Sequence, residues 1–353
     1  MSAQTITFQA HSLNPAEVVR VYRHDSAANN SLPPDSVLLR FLAAPINPQD
    51  LMVIAGRYPV QPHYKHVGEP IPGYDGVARV ERIGEGVSTL QVGDHVIPRA
   101  HGLGTWRSEA VVPASSLLKI SNKIEPSTAC LLKTSCSVAY LLVESAKNLH
   151  PGDFVAINAA SGSIARMAVQ FARLRGCPSI CIIRDREDVE SVRQSLLSQG
   201  AHVVLTESEF EKGGVAAACV EGKRVMLALD SVFGTSGQHL AALLSTGGTF
   251  INYGSLGGAS GQIALTQELL FWKQITFRNF RLSQALSAYP EQAQVQLLNW
   301  FVELFEQGQL VAPPVHTVEW NNGEGLEEKI RETFLKQGAL VGYPKPVLQF
   351  ESV

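Results

Sequence analysis

A phenol, two guanidinium groups and a turn of small residues are the parts of this chain best suited to chemistry. Tyr58 stands in Gly56-Arg57-Tyr58-Pro59, a short way after Asn47-Pro48-Gln49-Asp50. A tyrosine is protonated at neutral pH, its reference pKa being about 10, so it can donate a hydrogen bond or a proton. The plainer alternative is a turn tyrosine packed before Pro59. Arg184 and Arg186 follow the apolar run Ser179-Ile180-Cys181-Ile182-Ile183. A planar guanidinium grips a phosphate through two parallel hydrogen bonds. The turn Asn158-Ala159-Ala160-Ser161-Gly162-Ser163-Ile164-Ala165 joins an apolar run to a helical pattern. The free N–H groups and positive dipole end of such a helix can hold a pyrophosphate; an ordinary strand-to-helix turn with no ligand is the alternative.

These groups need elements to carry them. From Val37 to about Leu118, β-rich runs such as Ser36-Val37-Leu38-Leu39-Arg40-Phe41, residues 76–84 and residues 94–98 alternate with Gly and Pro, which predicts a β-barrel or folded-over sheet. After about Thr128 the rhythm changes. Helices are expected over 129–146, 164–175 and 189–199, and strands over 154–158, 179–183, 203–205, 225–229 and 248–253. That order implies an α/β, doubly wound parallel sheet. A helix over 292–307 then leads into an extended segment, 311–320, expected to return to the first domain.

The second strand of such a sheet decides the cofactor. An acidic residue at its end holds a ribose 2′-OH, whereas an arginine suits a 2′-phosphate, so Arg184 and Arg186 favour NADPH over NADH. Asp185 between them either pairs with one of the arginines or faces the ribose, and solvated surface charge is the plainer reading of both arginines. The glycine pattern of the turn is degraded, with Ser163 and Ala165 where glycines often stand. Tyr253-Gly254-Ser255-Leu256 follows the last predicted strand and is expected beside the nicotinamide.

Composition narrows the field. With 29 Lys plus Arg against 32 Asp plus Glu, the net charge of −3 argues against nucleic acid as a partner. Five scattered cysteines, Cys130, Cys136, Cys177, Cys181 and Cys219, form no C-x-x-C pair and suggest neither a disulfide framework nor a zinc knuckle. No apolar run approaches the roughly 20 residues of a membrane span. The start lacks a charged or Arg-rich segment, so a cytoplasmic protein is expected, with the mitochondrial matrix as the alternative if the chain is a processed form.

The chain resembles the zinc-independent members of the medium-chain dehydrogenase/reductase superfamily, and in particular the trans-2-enoyl thioester reductases of mitochondrial fatty-acid synthesis. The matching stretches are residues 45–50 with 56–59, then Gly102-Leu103-Gly104-Thr105-Trp106-Arg107, Arg184-Asp185-Arg186, Leu227-Ala228-Leu229-Asp230, Gly247-Gly248-Thr249 and Arg278-Asn279-Phe280-Arg281-Leu282-Ser283-Gln284. Zinc alcohol dehydrogenases hold catalytic zinc with two cysteines and a histidine. Here the corresponding regions read Asn47-Pro48-Gln49-Asp50 and Gly73-Tyr74-Asp75-Gly76, so no metal is expected. The family's Asn-Pro before the interdomain helix is replaced by Ser135-Cys136.

The resemblance implies a GroES-like catalytic domain (1–129 and 281–353) clasping a Rossmann-type domain (130–280), with the active site in the cleft. It implies hydride delivery from NADPH to Cβ of a 2-enoyl-CoA or enoyl-acyl-carrier-protein, Cα protonation, and Tyr58 as catalytic residue. Asn158, Ser161, Gly162, Ser163, Ile164, Arg184, Arg186, Tyr253, Gly254, Ser255 and Leu256 are the cofactor candidates. Asn47, Trp106, Phe271, Trp272 and Phe280 are the substrate-pocket candidates, although aromatics so spaced are more often core. A homodimer is expected. A quinone or alkenal reductase of the same superfamily and a non-catalytic NADPH-binding protein are the alternatives.

Overall fold

The computed structural model describes residues 2–146, 148–212, 214–258, 260–320, 325–336 and 344–350. The chain divides into two compact units, Met1–Lys133 with Pro290–Val353, and Thr134–Tyr289. These boundaries lie four and nine residues beyond the expected 129/130 and 280/281. The first falls inside a π-helical turn, Leu132–Ser137, and the second lies past a short helix, Leu282–Ser287, that belongs to the second unit.

The first unit opens with β1 (Ser2–Phe8), β2 (Val19–Asp25), β3 (Ser36–Pro45), β4 (Lys65–His66), β5 (Glu69–Pro70), β6 (Val77–Ile83), β7 (His95–Pro98), β8 (Glu109–Pro113) and β9 (Leu117–Ile120). The second unit holds β10 (Phe154–Ile157), β11 (Ser179–Ile183), β12 (Ala201–Thr206), β13 (Val225–Asp230), β14 (Thr249–Asn252) and β15 (Thr276–Asn279). The chain then returns to the first unit with β16 (Val315–Trp320) and β17 (Lys345–Phe350).

In the first unit the main sheet runs β16-β17-β3-β6-β7-β9, with β8 paired to β3. Strand β3 is central because nine of its ten residues are buried, which leaves only Arg40 partly exposed. The expected return of the tail is therefore made by β16, parallel to β17. The β1/β2 hairpin lay outside the expected β-rich stretch. Its buried face includes Gln4, Thr5 and Thr7, so apolar alternation is hidden; the Thr5 and Thr7 hydroxyls are met by His24 and Glu69, and the Gln4 backbone N–H donates to the Ser108 hydroxyl.

The second unit is a six-stranded parallel sheet in the order β12-β11-β10-β13-β14-β15. Every residue of β11 is buried, the continuous apolar pattern of a parallel strand covered on both faces. Strand order reverses between β10 and β13, and ligands of such sheets bind beyond the carboxyl ends at that point. The helix expected over 129–146 is instead a short turn at Pro126–Ala129, the π-helical turn and a helix at Val138–Glu144. An extra residue per turn shifts the side-chain register just before the dinucleotide-type sheet begins.

Candidate active site

Tyr58 is positioned from both sides in sequence. The helix Pro48–Ile54 starts at Asn47, whose backbone N–H donates to Asp50 Oδ2 (2.8 Å) while its side-chain amide donates to Asp75 Oδ2 (3.0 Å). Proline at the first helical position costs no hydrogen bond. Gly56 takes a left-handed φ of +69° just past the helix end, and a Cβ there would come within 3.0 Å of the His11 ring. The half-buried Tyr58 packs on the core of this unit. Its ring meets Tyr74 edge-on at 5.9 Å and lies 6.3 Å from the ring of His101. Tyr74 and His101 stack on each other at 5.4 Å and 21°.

Below this aromatic group lies a set of buried charges. Tyr74 is fully buried; its N–H donates to Asp50 Oδ1 (3.1 Å) and its hydroxyl to the carbonyl of Val60, two residues beyond Tyr58. Burial pushes the Asp50 carboxyl up to about 7, and nearby Asp75 adds to the shift against the hydrogen bond from Asn47. Lys345 is pressed down to about 8, again chiefly by burial. Lys133, buried and donating to the Pro98 carbonyl (3.0 Å), is shifted down for the same reason. Asp75 Oδ1 makes no hydrogen bond. Among the described residues no three His, Cys, Asp or Glu side chains gather so as to hold a metal ion.

Two pocket candidates in this unit are buried and engaged within it. Trp106 has no exposed surface: its indole N–H donates to the Pro45 carbonyl (3.3 Å) and its ring stacks on Phe334 at 6.0 Å. Sealed in the core, it cannot touch a substrate. Asn47 spends its side chain on Asp75, which ties the start of the helix to the segment before β6.

In the second unit the turn after β10 opens the helix Ser163–Leu174 at Gly162, where no side chain caps the end. The first intrahelical bond runs from the Arg166 N–H to the Gly162 carbonyl, so the N–H groups just before it project from the helix start. Ala159 adopts φ +44°, a conformation that glycine would take without strain. Asn158, however, is fully buried and committed: its amide donates to Asp230 Oδ1 (2.6 Å) and Ser236 Oγ (3.1 Å), and its Oδ1 accepts the Ser231 N–H (2.9 Å). It fastens the loops after β10 and β13 together. Arg166, which the sequence did not single out, and Ser135, noted there only as a departure from the family pattern, support the turn. Arg166 is buried and donates through Nε to the Ser161 carbonyl (3.1 Å), and the Ser135 hydroxyl donates to Ser163 Oγ (3.2 Å).

The arginines at the end of β11 separate in role. Arg184 is exposed and makes no ion pair among the described residues. Arg186 is joined to Asp188 by two hydrogen bonds, one of 3.0 Å from Nη2. Asp185 pairs with neither arginine among the described residues. Its Oδ2 accepts the N–H (3.1 Å) and hydroxyl (2.8 Å) of Ser208, and these bonds hold its carboxyl below the usual range. The loop 253–256 is laced to the loop after β13: the Leu256 N–H donates to the Ser231 carbonyl (2.8 Å), and a Cβ on Gly254 would come within 3.0 Å of that same oxygen. It thus sits at the carboxyl end of β14, beside the strand-order reversal. Phe280 is partly buried just after β15. Phe271 and Trp272, each 63% exposed, lie on a π-helical turn at the surface and line no tunnel within this unit.

Comparisons with known proteins agree with this architecture. The alcohol dehydrogenase GroES-like domain matches residues 33–122. The human mitochondrial enoyl-[acyl-carrier-protein] reductase is 33% identical over 92% of this chain and 85% of its own length. The chain belongs to the enoyl-[acyl-carrier-protein] reductase family. Its Schizosaccharomyces pombe member is 28% identical over 99% of this chain and 94% of its own length. Both of these members are named as mitochondrial, which goes against the cytoplasmic expectation and with its alternative. Among solved structures, the Etr1p complex with NADP and crotonyl-CoA superposes with a TM-score of 0.89 at 26% identity, covering 99% of this chain and 100% of that one. A NADPH:quinone reductase structure from Bacillus thuringiensis superposes less well, with a TM-score of 0.80 at 25% identity over 99% of each chain.

Proposed function

We infer that this protein reduces 2-enoyl thioesters with NADPH, and that Tyr58 is its catalytic residue. The observation that carries the reading is the fixed phenol of Tyr58, held by a turn anchored at Val60 in a chain that shares a third of its residues with an enoyl thioester reductase. The residues fit the cofactor. The uncapped start of the helix Ser163–Leu174 offers backbone N–H groups to a pyrophosphate, and Arg184, exposed and in no close ion pair among the described residues, suits the 2′-phosphate. Tyr253, Gly254, Ser255 and Leu256, in the loop after β14, would lie beside the nicotinamide. When bound, NADPH supplies the hydride that Cβ of the substrate accepts.

Tyr58 donates to the substrate. Its neutral phenol hydrogen-bonds the negative charge that develops on the thioester oxygen, then gives a proton to Cα and recovers one from solvent. One hydride and one proton together saturate the double bond. Incubating the protein with crotonyl-CoA should oxidise NADPH. Tyr58→Phe should lower kcat by a factor on the order of 100 or more while NADPH affinity stays the same. Undiminished turnover in Tyr58→Phe would remove it from the mechanism, and faster turnover of quinones than of crotonyl-CoA would favour the quinone reductase reading.

The acyl carrier, either CoA or acyl carrier protein, follows from the names of the relatives, and so does a mitochondrial place of action. A homodimer is supported by β15, which ends the parallel sheet, and by the exposed Leu270, Phe271 and Trp272 beside it. A related solved structure is named as an Etr1p/Etr2p heterodimer from Candida tropicalis.

A further inference from the structure

We propose that His101 is a positioning residue for Tyr58, and that it acts only as the neutral imidazole. The inference rests on the catalytic role given to Tyr58 above. Three rings meet at this place: Tyr58 lies 5.9 Å from Tyr74 and 6.3 Å from His101, and the latter two stack at 5.4 Å. Tyr74 cannot shift, being fully buried and tied at both ends, by its N–H to Asp50 and by its hydroxyl to the Val60 carbonyl. His101 completes the seat beside Tyr74. It rides on the loop before Gly102, whose carbonyl accepts the His63 N–H (2.9 Å), so this loop and the segment that follows Tyr58 are also joined through the backbone.

The protonation state follows from the partners. Gln49 Nε2 lies 3.2 Å from His101 Nδ1. With the amide turned this way its nitrogen donates, Nδ1 accepts and the ring proton sits on Nε2. A second proton, on Nδ1, would set N–H against N–H until the Gln49 amide turns to offer its oxygen, which alters the contact between the ring and the helix Pro48–Ile54. The groups facing His101 are Gln49 from that helix, Tyr58 from the turn after it, Tyr74 and Asp75 from the segment before β6, and Lys133 from the π-helical turn. Burial and then the Lys133 ammonium hold His101 below the ordinary histidine value, and only Asp75 opposes them. The neutral form therefore prevails through neutral pH and is lost as pH falls below the usual histidine range of about 6.5.

Geometry of this kind governs turnover more than binding, since a small misplacement of a proton donor costs rate. The test is the pH profile of kcat with crotonyl-CoA for the wild type, His101→Gln, Gln49→Leu and Tyr58→Phe. The wild type should lose kcat towards acid in a single protonation. His101→Gln should be slower at neutral pH by a factor on the order of 10 to 100, with no acid limb, while the KM for crotonyl-CoA and the Kd for NADPH stay within about twofold of wild type. Gln49→Leu, which leaves the ring stack in place, should slow turnover and move the acid limb. If His101→Gln is slower yet keeps the wild-type limb, the residue is merely structural and the proposal falls. It falls equally if His101→Gln matches wild type while Tyr58→Phe is disabled, a result that leaves the reading of Tyr58 standing. Should His101→Gln not fold, Gln49→Leu decides: an unmoved limb overturns the proposal.

Discussion

Replacing Arg184 by Gln should convert a reductase that prefers NADPH into one that hardly distinguishes it from NADH. The side chain is exposed at the carboxyl end of β11 and makes no ion pair within 4 Å among the described residues; the Glu207 carboxylate attracts it from further off, so turning towards a 2′-phosphate costs little. Hydrogen bonds to a charged group contribute about 1.5–3 kcal/mol, and each 1.4 kcal/mol is tenfold, so NADPH should bind roughly 10 to 150 times more weakly. NADH, which has no such phosphate, should change by less than about twofold. Arg186→Gln provides the contrast. Its guanidinium already holds Asp188 through two hydrogen bonds and must release them before it can engage a ligand. The loss of NADPH affinity should accordingly stay under about tenfold. Fluorescence titration of both nucleotides against the two variants measures the ratios directly. An NADPH/NADH ratio in Arg184→Gln equal to that of wild type would refute the assignment of the phosphate to this residue.

Three further outcomes are expected. Gly73→Ala should lower stability by about 3 kcal/mol or more in urea unfolding, because φ is +94° and the new Cβ would sit 2.3 Å from Trp106 Cδ1 and 2.8 Å from its backbone nitrogen. Asp50→Asn should cost about 1–3 kcal/mol, since one of the acceptors for the Asn47 and Tyr74 N–H groups becomes a donor. Because folding raises Asp50 to about 7, wild-type stability should fall as pH climbs from the ordinary carboxylate range to that value, and the Asn variant should lose this part of the slope. Trp272→Glu should shift the protein towards monomer in sedimentation, as it places a charge within the exposed apolar group beside β15; a wild type that already sediments as a monomer would rule out the dimer.

How much of this was legible beforehand depended on the range of the interactions. The limits of β11 were readable because a strand covered on both faces is apolar almost throughout, and β1 was missed because three polar residues, Gln4, Thr5 and Thr7, break up its buried apolar ones. The turn after β10 and the arginine after β11 could be found from spacing, since both obey the local geometry of a strand feeding a helix. Residues whose role depends on what approaches from far along the chain could not. Asp185 reads as a competitor for the ribose until Ser208, at the start of the helix after β12, is seen to occupy its carboxylate. Trp106 and Asn47 lie in matching motifs, yet one fills the core and the other fastens a helix, and nothing in their own neighbourhood separates support from contact. Tyr74 and His101 stand where a zinc enzyme's ligand motif and an undistinguished loop would be read. Only the folding of residues 56–63, 73–75 and 99–104 onto one another makes them neighbours of Tyr58. A motif therefore marks Tyr58, while the rings packed around it come from segments that share no motif with it.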